Sequence, residues 1–80
     1  MRKSVHSEAQ KALGNLLRDA RDKADMTQSD LAKELGKRQS FVAKIEIGER
    51  RVDVVELVQI ARALNADPVK MLRALARKFA

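Results

Sequence analysis

The sequence predicts an all-α fold of five helices. Three observations lead there: helix caps and stops recur along nearly the whole chain, apolar residues fall at spacings of three and four, and neither an alternating strand pattern nor a hairpin dipeptide occurs. At 80 residues, spanning 1–80 without a linker, low-complexity tract or internal repeat, the chain is expected to be one domain. A domain so small buries a modest share of its surface, which makes a partner subunit an expected source of stability.

Each element follows from its punctuation. Ser7 and Gln10 form a capping-box pattern ahead of Leu13, Leu16, Leu17, Ala20 and Ala24, predicting a first helix that runs to about Lys23. Thr27 caps a short second helix, QSDLAKEL, with Asp30 favoured in its first turn by the helix dipole and Gly36 placed to stop it in a left-handed conformation. The third helix runs from about Arg38 to Ile47 and ends at Gly48. Asp53 and Glu56 form another capping box before Val54, Leu57, Val58, Ala61 and Leu64, and that fourth helix stops near Asn65. Asp67 caps the fifth helix, about 67–79, with Pro68 at the first position, where its missing N–H costs nothing.

Composition narrows the function classes. No cysteine is present, which removes disulfide and thiolate metal sites, and the single histidine, His6, cannot build a metal or nucleophile cluster. Paired carboxylates, a nucleophile with its base, or a glycine-rich phosphate loop do not stand at workable spacing, so an enzyme is not expected, nor any cofactor. Seventeen Lys and Arg against eleven Asp and Glu give a net charge of +6, suited to an anionic partner and equally to solubility. With no apolar run of membrane-spanning length and no signal-peptide core, a soluble, intracellular protein with no membrane partner is expected. His6 reads as a solvated residue, the Arg2 and Lys3 pair as a disordered end, and Met26 and Met71 as core filler.

The stretch KRQSFVAKIEIGERR, residues 37–51, carries the functional signal. Only Gly36 and Lys37 separate the second and third helices, so they must turn sharply and pack closely. Ala32 permits the approach, Gly36 the turn, and Val42 with Ile45 fill the angle, as in a helix-turn-helix. With Val42 and Ile45 inward, a step of about 100° per residue sets Gln39, Ser40, Ala43 and Lys44 on one outward stripe. Gln suits adenine, Lys suits guanine or phosphate, Ser bonds base or phosphate, and Ala allows close approach or meets a thymine methyl. Such a helix fits the major groove of double-stranded DNA.

From MTQSDLAKELGKRQSFVAKIEIGERR through LVQIARALNADP the chain resembles the helix-turn-helix domain of the phage repressor and Cro class, the XRE family. The resemblance implies a five-helix phage-repressor-like fold and a cytoplasmic DNA-binding regulator of bacterial or phage type. It carries a phosphate contact to Gln28, base reading to Gln39 and Ser40 with Lys44 one turn on, and backbone contacts to Arg50 and Arg51. Lys37 and Arg38 are cations placed to join them. Arg38 stands where relatives carry Ser, Thr or Pro, so the third helix lacks an ordinary cap. The resemblance also implies an ion pair between Arg21 and Glu46. Phe41, at the core edge, reads as structural.

A homodimer on an inverted repeat is the expected assembly. The apolar arc of the fifth helix covers about half its circumference, so Val69, Leu72 and Ala76 are expected to pack on the fourth helix while Met71, Leu75 and Phe79, extended by Val55, meet a twofold copy. A second reading is a protein-interaction module, an antitoxin or antiactivator whose main partner is another protein, with the wide apolar face as its docking surface.

Overall fold

The computed structural model describes residues 3–78, with side chains from residue 8 onward. Five helices follow in order: α1 Lys3–Lys23, α2 Gln28–Leu35, α3 Gln39–Glu46, α4 Val54–Ala63 and α5 Pro68–Lys78. No strand occurs among the described residues. His6, the Arg2 and Lys3 side chains and Phe79 lie outside the residues and side chains described.

The helix ends show why the chain breaks where it does. At Thr27 the side chain accepts from the Asp30 N–H at 3.0 Å while Asp30 accepts from the Thr27 N–H at 2.9 Å, a reciprocal box opening α2. Asp53 and Glu56 build the same device at α4, with bonds of 2.7 and 3.1 Å. Asp67 caps α5 through the Val69 N–H at 2.9 Å. Helices α2, α3 and α4 each end in a left-handed residue, Gly36 (φ 67°), Gly48 (φ 83°) and Asn65 (φ 55°). In each case the next residue's N–H reaches back five positions, Lys37 to Ala32, Glu49 to Lys44 and Ala66 to Ala61, all at 2.8 Å.

One boundary differs from the sequence expectation. α1 begins at Lys3, so the Ser7 and Gln10 pattern lies inside the helix instead of opening it. Nothing in residues 3–6 breaks a helix, and each residue added upstream gains an i→i−4 hydrogen bond.

The core joins Leu13 and Leu17 of α1, Leu31 and Ala32 of α2, Val42 and Ile45 of α3, Leu57, Ile60 and Ala61 of α4, then Leu64 and Met71. Gly14 sets how closely α1 approaches α3. A Cβ there would stand 2.5 Å from the Ile45 carbonyl oxygen and 2.6 Å from that of Glu46, so only a hydrogen fits between the two backbones. α3 is thereby clamped between α1 and α2 by its inner face, leaving the opposite face outward.

α5 corrects the expected facing. Met71 is buried and Leu75 packs half-buried against the core, while Val69 and Leu72 are 58 % and 52 % exposed and Ala76 is exposed too. The helix docks on both α1 and α4. The Met71 edge of its apolar arc therefore points into the groove between them, and the Val69 edge points to solvent. Met71 is a core residue and Leu75 packs against the core, so neither forms an outer edge.

Candidate nucleic-acid interface

α3 presents Gln39, Ser40 and Lys44 to solvent, with Ala43 half-buried between them. Lys37 and Arg38 lie exposed in the turn ahead of it. Arg38 occupies the cap position and supplies no side-chain cap among the described residues, and the Phe41 N–H turns back to the Arg38 carbonyl at 3.0 Å. A helix N-terminus carries partial positive charge, which favours nearby phosphate.

Behind this stripe runs a chain of side-chain hydrogen bonds. Arg21 of α1 donates through Nε to Glu46 Oε2 at 2.6 Å and through Nη2 to Oε1 at 3.1 Å, while its Nη1 donates to the Met26 carbonyl at 2.7 Å. Gln28 Nε2 donates to Glu46 Oε1 at 2.9 Å, and Gln39 Nε2 donates to Gln28 Oε1 at 2.6 Å. Glu46 is buried, with its side chain 4 % exposed and that of Arg21 11 %. A carboxylate removed from water needs a counter-charge and filled lone pairs, and three donors supply both. The Arg21 guanidinium is held protonated above its usual range, first by its hydrogen bonds to Glu46. Among the described residues no buried side-chain nitrogen or oxygen is left without a partner.

The second layer lies after α3. Arg50 forks onto Glu56 with two bonds of 3.0 Å, donates to the Arg51 carbonyl at 2.6 Å and stacks its Cζ 4.4 Å over the Phe41 ring; Lys37 Nζ lies 5.4 Å from the same ring. Phe41 is half-buried and serves as a platform between two cations. Arg51 is exposed. The resemblance treated Arg50 and Arg51 alike, whereas the structure separates them. Glu56 had only its capping pattern to read in the sequence, and its second role as the partner of Arg50 left no local signal.

A family model described as helix-turn-helix matches residues 17–71. The solved structure of an XRE-family like protein from Pseudomonas syringae pv. tomato str. DC3000 is 41 % identical, with 98 % of this chain and 95 % of that chain covered and a TM-score of 0.84. This chain belongs to the XRE family of helix-turn-helix DNA-binding domains. The clp gene regulator ClgR from C. glutamicum is also similar, at 26 % identity over 90 % of this chain and 94 % of that one, TM-score 0.80. So is the restriction-modification controller protein C.AhdI from Aeromonas hydrophila, at 31 % identity over 80 % and 96 %, TM-score 0.71. None of the curated proteins matches the chain. No described helix is long and apolar enough to cross a membrane. Among the described residues no group of three potential ligands is placed to hold a metal ion.

Proposed function

We propose that this XRE-family protein is a sequence-specific transcriptional regulator that reads an inverted repeat as a homodimer. The observation that carries the reading is the bonded chain from Arg21 to Gln39, which fixes one exposed amide at the start of the helix expected to enter the groove. Gln39, Ser40 and Lys44, with Ala43 between them, read bases. Gln28, Lys37, Arg38 and Arg51 meet the backbone and set register without carrying sequence information. Similarity to a clp gene regulator and a restriction-modification controller supports the regulatory role.

The second copy is taken up by three of the apolar side chains that the core leaves uncovered, Val55 on α4 with Val69 and Leu72 on α5. Two copies related by a twofold axis present their α3 helices about one DNA turn, ~34 Å, apart. Selecting bound duplexes from a random pool tests the reading, with an inverted repeat as the expected outcome. Gln39→Ala should relax preference at one position of each half-site, at a cost of ~1–3 kcal/mol against the preferred base. Recovery of no common sequence would refute specific recognition.

A further inference from the structure

Arg50 is closed in on three sides. Both N–H groups of Nη1 are engaged, one by Glu56 Oε1 and one by the Arg51 carbonyl, Nη2 holds Glu56 Oε2, and the guanidinium face lies on Phe41. These partners belong to three different elements: Phe41 to α3, Arg51 to the loop and Glu56 to α4. The loop is also wound back on α3, with the Glu49 and Arg50 N–H groups donating to the Lys44 carbonyl at 2.8 and 3.2 Å. Resting on the DNA-binding reading above, we propose that Arg50 is a positioning residue. It brackets the 47–53 loop so that Arg51, and not Arg50 itself, meets the DNA backbone.

Charge and geometry point the same way. The planar fork on Glu56 largely neutralises Arg50 as seen by an approaching phosphate. Swinging Arg50 out to a phosphate would leave the Glu56 carboxylate, 22 % exposed, unpaired near an anionic surface. The Glu56 carboxyl is held below its ordinary range, with Arg50 as the first cause and the Asp53 N–H as the second. Arg51 keeps an exposed side chain while its carbonyl is tied down, so its backbone is fixed and its cation is not.

The test uses the full chain and the duplex that the wild type recovers from a random pool, with every variant first shown by melting to be folded at the binding temperature. Arg50→Lys keeps the charge and loses the fork, and should weaken binding about tenfold. Arg51→Ala should weaken it by a similar factor and lower the salt slope by roughly one per monomer. If Arg50 acts through Arg51, the double variant binds no more weakly than Arg51→Ala alone. Glu56→Gln retains a residue able to complete the capping box but removes the carboxylate, and should also weaken binding. Arg50→Lys binding like the wild type, losses that multiply in the double variant, or tighter binding by Glu56→Gln would each overturn the assignment in favour of a direct phosphate contact. Failure to recover any duplex would refute the DNA-binding reading and this role with it.

Discussion

Removing Glu46 alone should cost more than removing Glu46 and Arg21 together. In Glu46→Met the Arg21 guanidinium keeps its bond to the Met26 carbonyl and a 3.6 Å contact with the exposed Asp22 carboxylate, but loses its buried counter-charge at a site from which water is largely excluded. Breaking one side of such a pair costs about 3–5 kcal/mol. A chain of this length has a total stability of roughly 4–12 kcal/mol, so the single change removes between about a quarter and the whole of it. Arg21→Met strands the buried carboxylate instead and should be comparably severe. In the double variant two methionines fill the space of the pair. What remains is the Met26 carbonyl and the Gln28 amide, both on half-buried residues that water can reach, at about 1–2 kcal/mol. Urea unfolding of the four proteins measures the cycle, with a coupling of at least ~2 kcal/mol expected between the two positions. A double variant whose loss equals the sum of the single losses within ~0.5 kcal/mol would show that the two charges do not depend on each other.

Three further outcomes follow from the packing. Gly14→Ala should destabilise the fold by about 1–3 kcal/mol, despite the better helix propensity of alanine, because the methyl has no space against the Ile45 and Glu46 carbonyls; an unchanged or raised melting temperature would contradict that contact. Leu72→Glu should give a folded monomer by sedimentation and weaken operator binding with little change in base preference, whereas a wild type that already sediments as a monomer at tens of micromolar would end the dimer proposal. Stability should also fall on acidification. Glu56 is held below its usual value first by Arg50, and Asp30 first by the Thr27 N–H and then by its hydroxyl. Both therefore contribute stability above their unfolded values of about 4. That contribution is lost as pH drops through the lower folded values, because the unfolded chain takes up protons first. Glu56→Gln should flatten part of this acid limb in urea midpoints followed with pH, and an unaltered limb would contradict the Glu56 contribution.

Local chemistry was legible in the sequence and tertiary phase was not. Thr27, Gly36, Asp53, Asn65 and Pro68 act on their own helix within a few residues, so their roles could be read from spacing. The return bond of Asp30 to Thr27 is harder to read from spacing, because Asp is outside the usual Glu or Gln pattern of the capping box. The outward stripe on α3 was legible because Val42 and Ile45 fix the inward direction. α5 offered no such anchor. Its arc has two apolar edges, and the groove between α1 and α4 selects the Met71 edge for reasons that no window on α5 contains. Gly14 was equally opaque, since a glycine in a helical run reads as a weak spot until the carbonyls it touches on another helix are known. At α1 the Ser7 and Gln10 pattern misled, because a capping signature marks a start only where the residues before it cannot extend the helix.

The bonded chain behind α3 gives each amide a polarity. A carboxylate only accepts, so Gln28 must turn its NH₂ toward Glu46 and its oxygen toward Gln39. Gln39 is then obliged to answer with its own NH₂, which leaves its oxygen and one remaining N–H for the groove. That acceptor and donor pair is the complement of the adenine N6 and N7 edge. The preference proposed for Gln39 is in this sense written at Glu46 and transmitted through two rotors that cannot flip independently. A Glu placed at position 39 to read cytosine would bring its carboxylate against the Gln28 oxygen, and Gln28 could not turn over without setting that oxygen against Glu46. If Gln39 reads a base as proposed, altering that base means recoding at least two positions, with residue 28 changed in step with residue 39.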